Sequence, residues 1–224
     1  MGCDFFIDDL NYKNIDKLIP INYSNSKKNN KQNNKTLKNN IDIILDCTDN
    51  LETRFLINDF CIKTRIPFIY ASAVGSKGYI FNITPIRNNP CLRCFLKEAA
   101  QLDTCDTVGV LNAITNLISS IQVNEAIKIL LNKKNIEKNL MFFDIWKNEL
   151  SKIKVNKNKN CVCCVKNNFE YLSGKKSSRI VKLCGDNIYQ IKTRSIDKKQ
   201  FNILKNKLKK IGKVGNERAR DLNA

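Results

Sequence analysis

Residues 41–71, IDIILDCTDNLETRFLINDFCIKTRIPFIYA, contain the clearest secondary-structure pattern in this chain. They begin with a nearly continuous apolar run over 41–47, which is typical of a strand buried on both faces. Apolar side chains then recur near helical spacing from about residue 51 to residue 64, and Pro67 ends that helix. Residues 68–71 form a second apolar run of strand length. A strand, a helix and a strand in about 30 residues predict a parallel βαβ unit.

The patterns downstream continue to alternate. Gly75 and Gly78 bracket a turn into a third strand over 79–83. Residues 110–131 carry apolar side chains at three- and four-residue steps, which predicts a long helix with a buried stripe. Further elements are expected as strands within 140–155, over 179–183 and over 188–191, and as an amphipathic helix over 197–211.

The first 40 residues differ from the rest of the chain. The polar run 24–40 has almost no apolar side chains to bury, so we expect a mobile loop there. The compact part is expected to begin at Ile41.

Composition excludes some classes of function. The 224 residues carry a formal net charge of +18, but the lysines are mixed with asparagine and no aromatic residues are interleaved with them as stacking platforms. Dedicated nucleic-acid binding is therefore not expected. No apolar stretch approaches the ~20 residues that span a bilayer, and the first residues lack a signal-peptide pattern. A reducing cytoplasm fits the ten cysteines best.

Four cysteines form two C-x-x-C pairs, Cys91 with Cys94 and Cys161 with Cys164, in a chain without histidine. Each spacing lets two sulfurs reach one metal ion from a single turn, and four thiolates complete a tetrahedral zinc shell. The pairs therefore predict a structural zinc that joins two distant segments. Cys163 is an open alternative to Cys161 or Cys164 in the shell.

The order and spacing of these motifs resemble the ThiF/MoeB/HesA family, relatives of the ubiquitin-activating enzymes. The resemblance covers residues 41–164 and continues more weakly to about Val214. The motifs that carry it are 46–50 (DCTDN), Arg54 with 57–59 (IND), Gly78, the first cysteine pair, Cys105 with 109–111 (GVL), 120–122 (SIQ) with 125–128 (EAIK), and the second cysteine pair.

This resemblance implies an ATP- and Mg²⁺-dependent adenylyltransferase. Its substrate would be the C-terminal glycine of a ubiquitin-like sulfur-carrier protein of the ThiS or MoaD type, for thiamine or molybdopterin synthesis. The implied fold is α/β, a partial Rossmann-like parallel sheet that continues into antiparallel strands, with a zinc site and a small α+β C-terminal piece. The implied domains are a remnant N-terminal segment at 1–40, the C-terminal half of an adenylyltransferase domain at 41–170, and a partial small domain at 171–224.

Three polar residues are implied nucleotide-site residues, namely Asp49, Asn50 and Arg54. Asp49 ends a predicted parallel strand, where open α/β sheets bind ligands, and its carboxylate can hold Mg²⁺ between phosphates. The alternative role for Asp49 is the N-cap of the following helix. Asn50 is expected to shape the turn. Arg54 either touches the nucleotide or pairs with Asp59.

Cys105 matches the cysteine that forms a covalent link to the carrier in many relatives. Reactive sulfur needs an exposed thiolate with a lowered pKa, and the start of the long helix a few residues later favours one. The alternative is an unreactive thiol. Four other cysteines are expected to be buried small residues, Cys3, Cys47, Cys61 and Cys184.

The main departure from the family is the absence of a glycine-rich nucleotide loop. Gly2 is the only glycine before Gly75, and the sequence contains no G-x-G-x-x-G. We therefore expect weak ATP binding by this chain alone. It would act as a homodimer or with a chain that supplies the missing N-terminal half. The alternative is a non-catalytic or truncated carrier-binding subunit.

Overall fold

A five-stranded mixed sheet organises the chain. The structure, a computed structural model, describes residues 10–19, 21–23, 37–39, 41–86, 88–96, 109–176, 180–182, 189–191 and 198–208. In chain order its elements are α1 (Ile15–Leu18), β1 (Ile21–Tyr23), β2 (Leu37–Asn39), β3 (Ile44–Leu45), α2 (Leu51–Thr64), β4 (Phe68–Val74), β5 (Lys77–Ile83), a 3₁₀ turn (Leu92–Cys94), α3 (Asn112–Leu130), β6 (Leu140–Asp144), β7 (Glu149–Ile153), β8 (Ile180–Lys182), β9 (Tyr189–Ile191) and α4 (Lys198–Leu208).

The strand order in this sheet is β3-β4-β5-β6-β7. β3 precedes α2 in the chain and β4 follows it, and the two strands pair in parallel. The predicted βαβ unit is therefore confirmed. The remaining neighbours pair antiparallel. Short turns connect β4 to β5 and β6 to β7, whereas the long segment that contains the 3₁₀ turn and α3 connects β5 to β6. Gly75, in the turn between β4 and β5, has a φ of 61°, a conformation that glycine adopts without steric cost. The fold is therefore α/β with a mixed, partly parallel sheet.

Alternation along β4 places a separate core on each face of the sheet. Phe68 and Tyr70 point to the face covered by α2 and the cysteine turns. Ile69 and Ala71 point to the opposite face, which α3 covers. Successive side chains of a strand project to opposite faces, so both faces of this central strand are buried. The site residues described below lie at the ends and edges of this layered arrangement.

The first strand is shorter and more exposed than predicted. Within 41–47, only Ile44 and Leu45 pair with β4. Leu45 is 36% exposed, since β3 is an edge strand among the described residues. The prediction of a strand over 41–47 buried on both faces was therefore wrong in extent and in burial.

The compact part begins before Ile41. Ile15, in α1, is fully buried and belongs to the core on the α2 face. Tyr12 packs within 2.6 Å of the position that a Cβ on Gly174 would occupy. The sequence did not predict α1, because four residues are too few to show a periodic pattern.

The two long helices lie where their periodicity predicted them. α2 ends at Thr64, and the C-cap residue that follows, Arg65, has a left-handed φ of 61°. α3 packs against the sheet at Gly78, where an added Cβ would lie 2.5 Å from the Ile118 Cδ1 atom. Glycine is thus favoured at this crossing, because an added Cβ would overlap the Ile118 side chain of α3.

The described residues fall into two units by their internal contacts. The first contains the sheet and its helices, and the second contains the β8–β9 antiparallel pair and α4, at the predicted places. The domain boundaries at residues 40 and 170 remain predictions. No helix in the described ranges is both long and apolar enough to cross a membrane.

Candidate functional site

Four cysteine sulfurs converge at one point in the structure. Cys91 Sγ lies 4.0 Å from Cys94 Sγ and 3.6 Å from Cys161 Sγ, and Cys94 Sγ lies 3.5 Å from Cys164 Sγ. All four sulfurs lie within 4.8 Å of one another. Sulfurs bound at about 2.3 Å to a tetrahedral zinc ion lie about 3.8 Å apart. The donor set and its spacing are therefore consistent with a zinc site.

Local backbone bonds shape the two turns that present these sulfurs. In the first turn, the Cys94 amide donates to the Cys91 carbonyl at 2.9 Å, and the Cys91 amide donates to Cys94 Sγ at 3.4 Å. In the second turn, the Cys161 amide donates to the Asn158 carbonyl at 3.0 Å. One cysteine of each pair is buried and the other is half-buried, so the cluster sits at the edge of the core.

Cys163 occupies a different position from the four clustered cysteines. Its sulfur is fully buried and accepts a hydrogen bond from Asn58 Nδ2 at 3.4 Å. Cys161 and Cys164 are therefore the residues of the second turn whose sulfurs lie with those of the first turn. The same Asn58 accepts the Leu92 amide at 2.9 Å through its Oδ1 atom.

An ion pair and aromatic rings join the two cysteine segments beside the cluster. Arg93 Nη2 lies 3.0 Å from Glu170 Oε2, and the Arg93 side chain is only 8% exposed. Its guanidinium lies 5.6 Å from the Phe55 ring centroid and 5.1 Å from that of Tyr171. Such contacts with aromatic faces stabilise a partly desolvated cation. The cluster is thus embedded in further contacts between the same segments.

A second set of polar residues lies at the carboxyl end of β3. Asp46 is 2% exposed and accepts hydrogen bonds from the Thr48 amide at 2.9 Å, from Thr48 Oγ1 at 2.7 Å and from Arg54 Nε at 3.0 Å. Burial raises the pKa of the Asp46 carboxyl, and the Arg54 charge and the Thr48 bonds oppose that rise. The Asp46 carboxylate therefore stabilises the turn over residues 46–50.

Arg54 does not pair with Asp59, so that alternative was wrong. Besides its bond to Asp46, Arg54 donates to the carbonyls of Thr48 and Ala71. Positions five apart on a helix point in different directions, and Asp59 Oδ2 instead accepts the amide of Tyr171 at 3.0 Å.

Asn50, and not Asp49, caps α2. Asn50 Oδ1 accepts the Thr53 amide at 2.8 Å, which is the standard N-cap bond. The Asp49 side chain is exposed, and its Oδ1 accepts a bond from Asn50 Nδ2 at 3.2 Å. A surface carboxylate therefore lies at the carboxyl end of a parallel strand, next to a helix N-terminus.

Gln122 is a site residue that the sequence analysis left without a role. From α3, its Nε2 atom donates to the carbonyl of Asp46 at 3.0 Å and to that of Ile69 at 3.1 Å. Gln122 thereby ties the carboxyl ends of β3 and β4 to the helix on the other face. The available signal was a polar residue inside an apolar helical stripe, one turn from Ile118 and one turn from Ala126.

The remaining cysteine predictions have mixed outcomes. Cys61 is fully buried as predicted, but Cys47 is exposed, because it lies beyond the paired part of the edge strand β3. Cys3, Cys105 and Cys184 lie outside the described residues. Just after the segment that contains Cys105, the Gly109 carbonyl accepts the Gly75 amide at 2.9 Å.

Comparison with known proteins finds relatives that align with most of this chain. The chain is 35% identical over 174 residues to the sulfur carrier protein ThiS adenylyltransferase of Bacillus subtilis, covering 76% of this chain and 51% of that protein. It is 33% identical over 137 residues to the adenylyltransferase and sulfurtransferase MOCS3 of Culex quinquefasciatus, covering 59% and 31%. A solved structure of E. coli MccB with ATP matches 55% of this chain and 39% of that one, at 14% identity and a TM-score of 0.45.

These matches cover only part of each relative, and the chain spans about half the length of the Bacillus protein. Residues 12–164 match the ThiF family. This range includes the four clustered cysteines and the polar residues at the carboxyl end of β3. The match also starts well before Ile41, in agreement with the buried Ile15. The chain belongs to the ThiF family.

Proposed function

We propose that this chain is a component of an ATP-dependent adenylyltransferase that activates the C-terminal glycine of a ubiquitin-like sulfur-carrier protein. The observation that carries the proposal is the exposed carboxylate of Asp49 beside the N-terminus of α2, in a ThiF-family chain. Helix N-termini favour phosphate groups, and the carboxyl ends of parallel strands are where α/β sheets bind ligands.

Each strand-end residue has a distinct proposed role. Asp49 holds Mg²⁺ against the phosphates of ATP, a role that suits an exposed carboxylate. Asp46 is unsuited to that role because its oxygens already bind Thr48 and Arg54. Asn50 fixes the first turn of α2, and Arg54 positions the 46–50 turn rather than contacting a phosphate.

The chemical step is the attack of the carrier's terminal carboxylate on the α-phosphorus of ATP, with pyrophosphate as the leaving group. Asp49 would hold the magnesium ion, which would neutralise charge on the phosphates. The residues of this chain contribute mainly by positioning, since the buried bonds of Asp46 and Gln122 hold the turn that carries Asp49. Cys105 is the proposed thiol that afterwards takes part in the sulfur transfer.

The four-cysteine cluster is the proposed site of a structural zinc ion. The sulfurs of Cys91, Cys94, Cys161 and Cys164 would be the ligands, and a bound zinc would link the 91–94 turn to the segment after β7. Because both turns also pack on α2, the ion stabilises the face of the sheet opposite α3.

A carrier of the ThiS type is the first candidate substrate, and one of the MoaD type is the second. The Bacillus relative is named for ThiS and aligns with 76% of this chain, whereas the Culex MOCS3 relative aligns with 59%. Thiamine synthesis is accordingly the preferred pathway over molybdopterin synthesis. A cytoplasmic location accords with reduced, metal-binding cysteines.

A second candidate function is a carrier-binding subunit without ATP binding of its own. It is favoured by the sequence of residues 1–224, which contains no G-x-G-x-x-G. In that case a second copy of the chain would not complete the nucleotide site. A companion chain with a glycine-rich nucleotide loop would do so.

Titration calorimetry separates these two functions. The purified chain is titrated first with a ThiS-type carrier and then, separately, with ATP and Mg²⁺. Carrier binding together with nucleotide binding that Asp49→Ala removes supports the adenylyltransferase. Carrier binding without nucleotide binding, also in the presence of the companion, supports the binding subunit. Absence of carrier binding, both by the chain alone and in the presence of the companion, contradicts both candidate functions.

A further inference from the structure

Asn58 is a buried amide that contacts both cysteine-bearing segments. Its Oδ1 atom accepts the amide of Leu92, inside the first cysteine turn, at 2.9 Å. Its Nδ2 atom donates to the sulfur of Cys163, between the cysteines of the second turn, at 3.4 Å. The side chain is fully buried in the middle of α2. One side chain therefore bridges two turns that are far apart in sequence.

An asparagine at this position has a cost that apolar residues lack. Asparagine is unfavourable in helix interiors, and a buried amide is costly unless its hydrogen bonds are made. The neighbouring positions Ile57 and Phe60 are buried and apolar, as the packing of α2 on the sheet requires. The polarity of Asn58 is thus explained by its two contacts and not by the packing of the helix.

The second turn offers three thiols for two places in the cluster. Cys161, Cys163 and Cys164 lie within four residues, and Cys163 belongs to the same buried core cluster as Cys91 and Cys161. Cys163 is therefore close enough to compete for a metal ion. Its sulfur instead accepts the Asn58 amide, which directs it away from the other four.

We propose that Asn58 is a positioning residue that selects Cys161 and Cys164, rather than Cys163, as the ligands from the second turn. It does so by holding the Cys163 sulfur while it fixes the Leu92 amide of the first turn. The inference rests on the proposed zinc centre. It assigns to the 57–59 motif a role at the cysteine cluster, away from the strand-end residues.

The adjacent Asp59 supports the same arrangement from the next position of α2. Its Oδ2 atom accepts the amides of Tyr171 at 3.0 Å and of Leu172 at 3.4 Å. These residues follow the second cysteine turn along the chain. Asn58 and Asp59 together anchor the polypeptide on both sides of Cys164, so the position of that turn is set by α2.

The test compares Asn58→Leu and Asn58→Asp with wild type and with Ile57→Val. Leucine removes both contacts, aspartate keeps an acceptor for Leu92 but loses the donor to Cys163, and Ile57→Val is a buried control on the same helix. Zinc affinity is measured by competition with a chromophoric chelator, and the absorption of the cobalt-substituted protein reports the number of sulfur ligands. Thermal melts identify any variant that fails to fold.

We expect both Asn58 variants to bind zinc about 10- to 100-fold more weakly than wild type, a range typical of residues that orient metal ligands. Ile57→Val should bind within threefold of wild type. In the Asn58→Leu background, Cys164→Ser should retain a four-sulfur cobalt spectrum, because Cys163 takes the free place. Adding Cys163→Ala should then abolish that spectrum.

Two other results would count against different parts of the account. Wild-type affinity in a folded Asn58→Asp protein, or loss of the four-sulfur spectrum when Cys164→Ser is added to Asn58→Leu, would overturn the selecting role of Asn58. If Asn58→Leu does not fold, the same series is carried out on Asn58→Asp. Wild-type protein that binds no zinc would instead refute the metal centre itself.

Discussion

Cys91 Sγ and Cys161 Sγ lie 3.6 Å apart although 70 residues separate them in the sequence. Between them the chain forms α3 and the β6–β7 hairpin before it returns to the same point. Two further sulfurs, from Cys94 and Cys164, complete the cluster. Its geometry therefore links the chain on both sides of those elements.

The first prediction concerns metal content. Fully reduced protein should contain one Zn²⁺ per chain, and Cys94→Ser and Cys164→Ser should each lower that content, because four thiolates form the shell. Elemental analysis after gel filtration measures it. Cys47→Ser is the matched control, since Cys47 is exposed and lies outside the cluster. Less than half an equivalent in the wild type would contradict the prediction.

Metal removal should loosen the segment after Leu150 from the core. Residues 161–176 contribute Cys161, Cys163 and Tyr171 to the buried core beside the cluster. With a chelator present, we expect faster amide hydrogen exchange there and little change in β4 and β5. Equal protection of these amides with and without metal would contradict the prediction. It would show that the Arg93–Glu170 pair and the buried contacts of α2 hold this segment on the core without the metal.

The second prediction concerns the crossing of α3 over β5. Gly78→Ala should destabilise the protein by about 1–3 kcal/mol, because the added methyl group overlaps the buried side chain of Ile118. Gly109→Ala is the control, since no described atom lies within 4 Å of its added methyl group and only its φ of +71° is unfavourable. Urea unfolding measures both. A smaller loss for Gly78→Ala than for Gly109→Ala would contradict the close packing.

The third prediction separates a positioning role of Arg54 from nucleotide contact. Arg54→Met should lower the free energy of unfolding by about 3 kcal/mol without any nucleotide, because the fully buried carboxylate of Asp46 loses its charge partner. The double variant with Asp46→Asn should recover part of that loss, since no buried charge then remains unpaired. Unchanged stability of Arg54→Met would indicate that Arg54 serves the nucleotide instead.

The fourth prediction concerns acid stability. Burial opposes ionisation of Glu137, but Lys152 and Asn139 outweigh it and hold the pKa of Glu137 at about 2, below its ordinary value of 4.5. A lowered carboxyl pKa gives stability that is present above pH 4.5 and lost as the pH falls towards 2. Glu137→Gln should therefore unfold with a weaker pH dependence across this window.

Glu149→Gln provides the control for that measurement, because Glu149 is an exposed carboxylate on β7. Loss of metal at low pH affects all variants alike, so the comparison is between their slopes. Identical slopes for Glu137→Gln and wild type would contradict the proposed contribution of the Lys152 pair.

Periodicity predicted the elements whose burial is regular. The apolar spacing of α2 and α3 and the apolar run of β4 each reflect a continuous contact with the core, so residue order alone contains the signal. The C-x-x-C spacing likewise predicted the cysteine cluster, because each pair is a local turn. α1 and the exposure of β3 depended on the rest of the fold and were not predictable in this way.

The partners of polar residues were the least predictable part of the site. Asp46, Arg54 and Gln122 meet through contacts between β3, α2 and α3, which no local pattern encodes. The bond from Asn58 to the Cys163 sulfur similarly joins residues that are more than 100 positions apart in the chain. Sequence spacing limits which residues can share a turn, whereas tertiary packing decides which of them face the site.

Carrier-dependent ATP–pyrophosphate exchange tests the proposed activity most directly. The assay combines this chain, a ThiS-type carrier with an intact C-terminal glycine and, in parallel reactions, a companion chain with a glycine-rich nucleotide loop. We predict exchange that requires both this chain and the carrier. Asp49→Ala should lower it by about 100-fold, through the loss of one electrostatic contact to the reacting phosphates. Asp42→Ala, which removes another exposed carboxylate of the same segment, should not. Absence of exchange in every combination, with ThiS- and MoaD-type carriers alike, would contradict the account.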